Sequence, residues 1–153
     1  MEIKKILQKL ELFNDLSDQE LEEIAIICTE RHLQPGEIII KQGEYNDELY
    51  IITHGYVDVY LSDISQETTK LLVNLGVGQL IGEMALVDKG PRSATVRAGI
   101  EPTIVQTIRR EDIENLCGKY PHIGYVVMRN IATDLSFKLR HRNLSEGGIY
   151  GDL

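Results

Sequence analysis

Between Glu30 and Ile108 the sequence breaks into short apolar runs, each too short for a helix and each closed by a turn signal. Pro35-Gly36, Gln42-Gly43, His54-Gly55, Gly76 and Gly78 punctuate Ile38–Ile40, Leu49–Ile52, Tyr56–Leu61 and Leu71–Leu75, and Thr95–Ala98 and Thr103–Ile108 follow. Within Tyr56–Leu61 the apolar residues Val57, Val59 and Leu61 alternate, which is the period of a strand with one buried face. The polar stretch Ser62–Thr69 reads as a hairpin loop. So many short strands over about 80 residues restrict the chain to a sandwich or barrel. The expectation is a mainly β protein, a jelly-roll-like β-roll.

Helical periodicity flanks this zone on both sides. Ile3, Ile6, Leu7 and Leu10 recur at helical spacing, and Ser17-Asp-Gln-Glu20 reads as a capping box, with Leu16 and Leu21 at the staple positions. Leu21, Ile24, Ala25 and Cys28 form one apolar stripe, so a second N-terminal helix is predicted to end near Thr29. After the strands, Arg110–Lys119 and then Ile123 to about Asn143 read as two C-terminal helices separated by Tyr120-Pro121. Val127, Ile131, Leu135 and Leu139 stack at i, i+4 on the longer one, a face for the roll, for a partner or for a second copy. Lys138, Arg140, His141 and Arg142 complement the dipole at its C-terminal end. Residues 1–143 are expected to form one domain and the Gly-rich residues 144–153 a flexible tail.

Charge and composition exclude several classes. The chain has 153 residues, of which 42% are hydrophobic and 26% charged, and this does not match disordered, collagenous or membrane proteins. Sixteen Lys and Arg against 24 Asp and Glu leave a net charge of −8, which opposes DNA or RNA as the main partner because phosphate neutralisation needs a basic face. The N-terminus mixes Glu and Lys among its apolar residues, and no run approaches the ~18 apolar residues of a membrane span, so a cytoplasmic protein is expected. Cys28 and Cys117 show no metal or redox spacing and read as small core residues. His32, His54, His122 and His141 are scattered, with no His-x-His pair for a metal-dependent jelly-roll enzyme and no nucleophile–base arrangement. Catalytic residues, metal ligands and a cofactor are therefore not expected.

The segment Gly78–Ala98 carries the chemistry. Gly82 lets backbone approach a ligand at the start of the short apolar turn Met84–Val87, and free amides at such a start seat an anion. Arg92 follows a Pro-fixed bend, presents a fork suited to two phosphate oxygens, and precedes the small residues Ser93 and Ala94. Glu83 beside an anion seat calls for a ligand that also offers a hydroxyl. A ribose phosphate meets both demands.

The run Ile81, Gly82, Glu83, Met84, Ala85, Leu86, followed by Pro91, Arg92, Ser93, Ala94, Thr95, Val96, closely resembles the phosphate-binding cassette of the cyclic nucleotide-binding domain family. The resemblance extends from about Leu12 to Asn143, with Pro35-Gly36-Glu37, Gln42-Gly43-Glu44 and His54-Gly55 similar to the turn glycines of that family. It implies that Glu83 meets the ribose 2′-hydroxyl and Arg92 the cyclic phosphate. It also implies an anion cradle from the backbone around Gly82, Met84, Ala85, Ser93 and Ala94, with Val73, Leu75 and Ile81 on the purine side. Bacterial cAMP receptors of the family carry a Thr-Ser pair on the long helix to reach adenine. Here Lys138-Leu139 stands there, so the base contact must differ. Ten residues after Asn143 are too few for the roughly 50–60 of a DNA-reading unit, which is therefore expected to be absent.

The resemblance thus implies a non-catalytic module that binds cAMP, with cGMP second, and signals through its C-terminal helices to a protein in trans or by self-association. A scaffold of the same fold that has lost the ligand is the rival reading.

Overall fold

The computed structural model describes residues 3–63 and 65–145, the last four of these by backbone alone. Two N-terminal helices, α1 (Ile3–Lys9) and α2 (Asp18–Ile26), are joined by a 3-10 turn at Glu11–Phe13. The capping box forms as the spacing predicts: the Ser17 hydroxyl accepts from the Glu20 amide at 3.2 Å, and the Glu20 carboxylate accepts from the Ser17 amide at 2.9 Å.

Eight strands follow: β1 (Cys28–Leu33), β2 (Ile38–Ile40), β3 (Glu48–His54), β4 (Val57–Asp63), β5 (Thr68–Leu75), β6 (Leu80–Ile81), β7 (Thr95–Ala98) and β8 (Thr103–Arg109). They pair antiparallel into two four-stranded sheets, ordered β1-β8-β3-β6 and β2-β7-β4-β5. Two helices close the structure, α3 (Arg110–Lys119) and α4 (Pro121–Ser145), with Pro121 at the first helical position, where its missing N–H costs nothing. This is the β-roll with helices on both flanks.

Several boundaries differ from the sequence reading: β3, β4, β5 and β8 each end or begin one to three residues away from the apolar runs that mark them, and α4 begins at Pro121 instead of Ile123. Helix α2 stops at Ile26, and Cys28 opens β1 instead of closing the helical stripe, because its backbone pairs with Ile108 of β8. Its thiol still donates to the Ile24 carbonyl at 3.4 Å. The hairpin loop is shorter than Ser62–Thr69, since Asp63 and Thr68 already face each other in the ladder. The two-residue β6 is held by Tyr50 and Ile51 of β3, a long-range pairing with no local pattern. Residues 146–153, most of the expected tail, lie outside the described residues, and 144 and 145 continue α4.

Two apolar clusters form the core. One lies between the sheets and includes Leu33, Ile40, Tyr50, Ile52, Val57, Ile81, Val96 and Val105. The other packs α1, α2, α3 and the first half of α4 against Leu49, Ile51 and Ile108. The i, i+4 stripe of α4 divides there: Val127 and Ile131 are 0% and 4% exposed, Leu135 and Leu139 39% and 38%. Cys28 and Cys117 are free thiols packed against the second cluster, and burial pushes the Cys28 thiol up to about 12.

Candidate functional site

Between β6 and β7 the chain leaves the sheets. Gly82 turns it with φ 90° and ψ 18°, a left-handed conformation that costs an L side chain about 1–2 kcal/mol and glycine little. Glu83–Leu86 then form a single 3-10 turn, and the Ala85 amide closes back on the Gly82 carbonyl at 3.0 Å. Glycine is required here for a second reason. A Cβ at position 82 would lie 2.6 Å from Arg92 Nη1 and 3.1 Å from the Glu48 carbonyl oxygen.

Arg92 reaches across from the other end of this excursion. Its backbone is pinned on both sides by the β2–β3 loop: its amide donates to the Glu44 carbonyl at 2.9 Å, and its carbonyl accepts from Gly43 at 2.8 Å. Its Nη2 donates to Asn46 Oδ1 at 2.9 Å and to the Glu48 carbonyl, and its Nη1 makes a long 3.4 Å contact with the Gly82 carbonyl. All three acceptors are neutral. Nε is buried without a partner, an exception to the rule that buried donors are satisfied. Burial pushes the guanidinium below its usual value, opposed by Tyr50, Glu44 and Asp47, but an arginine remains charged.

These parts wall a cavity of about 650 Å³, a size typical of small-molecule sites. Its lining includes all nine residues singled out from the sequence: Val73, Ile81, Gly82, Glu83, Met84, Ala85, Arg92, Ser93 and Ala94. Ile81 and Ala85 are buried, and Val73 and Met84 are exposed. Leu75 lines it as well. A second cavity of about 420 Å³ adjoins, sharing Leu75, Leu80, Glu83 and Lys138 and continuing to the N-terminal helices.

Two polar lining residues, Lys138 and Asn46, lie outside the segment 78–98. Lys138 of α4 faces both cavities and donates to Asp134 at 2.8 Å. That hydrogen bond, with Glu83 and Glu11 in its surroundings, holds the ammonium above its usual value. The sequence marked position 138 by comparison with the family's adenine-reading pair, but Leu139 does not line the cavity. Asn46, also in the lining, was not anticipated: it lies 46 residues before Arg92, and only its place in the folded loop reveals it. Among the described residues no group of three or more His, Cys, Asp or Glu is arranged to hold a metal ion. No helix among them is long and apolar enough to cross a membrane.

A β-roll interrupted by a glycine-led turn and a half-buried arginine at a cavity wall defines a class of ligand-binding module, and comparison with known proteins names it. Residues 30–120 match the family described as the cyclic nucleotide-binding domain, and the chain belongs to that family. It is a regulatory module of the kind that binds cAMP or cGMP. The chain is 36% identical over 135 residues to the cyclic AMP receptor protein of Thermus thermophilus, covering 87% of this chain and 59% of that protein. It is 33% identical over 133 residues to a cGMP-dependent protein kinase of Plasmodium berghei, covering 87% of this chain and 14% of the kinase. The chain thus spans less than two thirds of these curated relatives. Among solved structures, the N-terminal domain of a transcriptional regulator from Streptomyces coelicolor superposes with a TM-score of 0.79 at 26% identity, covering 87% of this chain and 94% of that one. A cyclic nucleotide-binding domain from Methylobacillus flagellatus gives 0.77 at 27% identity, covering 92% and 78%.

Proposed function

We propose that the 650 Å³ cavity binds a cyclic mononucleotide, cAMP in preference to cGMP, and that the chain acts without catalysis of its own. The observation that carries this reading is Arg92: a half-buried cation held only by neutral acceptors, with one buried donor unpartnered, at the wall of a cavity. Such a group has no hydrogen-bonded anionic partner, a place that an incoming anion fills. In this reading Arg92 takes the cyclic phosphate, the backbone around Gly82, Met84, Ala85, Ser93 and Ala94 completes the cradle, and Glu83 accepts from the ribose 2′-hydroxyl. Glu83 suits that role because its carboxylate, an acceptor of hydroxyl hydrogens, lines the same cavity. Val73, Leu75 and Ile81 line the base side.

The α4 side favours adenine. Guanine needs an acceptor for its N1–H and amino group, and the α4 carboxylate of Asp134, in the adjoining cavity, is already engaged by Lys138. Occupancy is passed on through α4, whose exposed Leu135 and Leu139 present an apolar face to a protein partner in trans or to a second copy. A ligand shifts such an arrangement only by its differential affinity for the two states.

The test is titration of nucleotide-free protein with cAMP and cGMP. About two dozen heavy atoms at ~−0.3 kcal/mol each give about −7 kcal/mol, or roughly 10 μM, and preformed charge contacts tighten this. Slower amide exchange in 78–98 and altered exchange in 123–143 accompany binding, and Arg92→Ala abolishes both. No heat from either nucleotide below about a millimolar leaves the scaffold reading, and cGMP binding more than tenfold tighter than cAMP reverses the preference.

A further inference from the structure

We infer that Asn46 is the positioning residue for Arg92, acting as the near end of a hydrogen-bond chain that runs Arg92–Asn46–Tyr50–Glu48; this rests on the phosphate role proposed for Arg92.

The chain has a defined direction. Asn46 Oδ1 accepts from Arg92 Nη2 at 2.9 Å and from the Glu48 amide at 2.8 Å. Asn46 Nδ2 donates to the Tyr50 hydroxyl at 3.2 Å, and that hydroxyl donates to Glu48 Oε1 at 3.1 Å. The amide has one workable orientation, since flipping it would set its N–H bonds against two donors. Tyr50 is fully buried at the centre of β3, so its ring cannot swing away, and burial pushes its hydroxyl up, keeping it a neutral donor. A side chain on the β2–β3 loop is thereby fastened to the core of the roll.

The arrangement separates position from charge. A carboxylate at position 46 would fix Arg92 but also neutralise it, and an incoming phosphate would have to compete with that partner. An amide fixes the same Nη2 without cancelling its charge. The carboxylate of the network, on Glu48, is set two hydrogen bonds back. Both Nη2 hydrogens are committed, to Asn46 and to the Glu48 carbonyl, which aims the remaining guanidinium donors, including the unpartnered Nε.

A double-mutant cycle tests this. Asn46→Ala is expected to weaken cAMP binding roughly tenfold in the otherwise native chain, and Tyr50→Phe roughly threefold, by loss of one bond to a charged group or of its support. In an Arg92→Ala background, followed by NMR titration where affinity becomes millimolar, each should change binding less than twofold, because what they position is gone. Equal losses in both backgrounds, or no loss in either, would overturn the inference while leaving cAMP binding by the native chain as the separate check on the phosphate role. A second readout needs no nucleotide. The Arg92 Nε–H resonance should be slowly exchanging in the native protein and should vanish or broaden in Asn46→Ala; an unchanged resonance refutes the positioning role even if no nucleotide binds.

Discussion

Substituting Gly82 by Ala separates the two demands that this position meets. The backbone demand is conformational: φ 90° strains any L residue by about 1–2 kcal/mol, which in a chain of this size lowers Tm by roughly 3–8 °C. The second demand is spatial. The added Cβ would meet Arg92 Nη1 at 2.6 Å, well inside contact distance, and the Glu48 carbonyl oxygen at 3.1 Å. The guanidinium is the far end of a flexible side chain and gives way more cheaply than backbone, so the fold survives. What moves is the group aimed at the phosphate, and a shift of this size breaks its bonds to Asn46 and Glu48. Losing that geometry should weaken cAMP binding by about 10- to 100-fold, or ~1.4–2.8 kcal/mol. Gly36→Ala is the matched control: its φ is 79°, and nothing lies within 4 Å of its added Cβ. It should lose similar stability and keep its affinity within twofold. Calorimetry with cAMP and thermal denaturation of both variants decide the matter. If Gly82→Ala binds as tightly as Gly36→Ala, the close approach to Arg92 carries no binding energy, and the reasoning fails.

Three further outcomes follow from the same structure. Glu83→Ala should weaken cAMP while leaving affinity for its 2′-deoxy analogue nearly unchanged, and equal losses for both would show that Glu83 does not read the ribose. Ile131→Ala should cost roughly 2–4 kcal/mol in denaturant unfolding and Leu135→Ala less than about 1 kcal/mol, since only the first is buried in the core. Glu37 closes the β1–β2 turn by accepting from the Gln34 amide at 3.0 Å and from Arg31 at 3.0 Å, and these bonds hold its carboxyl below the usual carboxylate value. Its stabilisation is therefore fully present above the unfolded carboxylate pKa and is lost as pH falls through the lower folded value; Glu37→Gln should remove that part of the acid-side slope in unfolding experiments from pH 7 downward.

Much of the architecture is legible in local pattern, because it depends on local physics. Ile38–Ile40, Thr95–Ala98 and Arg110–Lys119 form at the residues their periodicity marks, and the capping box at Ser17 closes as its spacing requires. A cap, a turn glycine and a 3.6- or 2-residue period act within a few residues, so sequence alone determines them. The cassette belongs to the same class. Gly82, Glu83, Arg92, Ser93 and Ala94 are neighbours in the chain, and a short excursion between β6 and β7 keeps them together in space.

What only the tertiary structure decides is long-range. The stripe Val127, Ile131, Leu135, Leu139 is continuous in sequence, yet only Val127 and Ile131 enter the core, while beyond them α4 runs along the cavities with Asp134 and Lys138 in their lining, so Leu135 and Leu139 stay exposed. Cys28 continues a helical stripe by spacing but becomes strand, because pairing with Ile108 outweighs a last helical turn. Strand β6 exists only through Tyr50 and Ile51. Asn46 carries no motif, and its meaning comes from a loop that returns to Arg92 after 46 residues. Hydrogen bonds and packing reach a few ångströms through space however far apart along the chain their partners lie. The residues of the cassette could therefore be read from the sequence, but the arrangement that aims Arg92 could be read only from the fold.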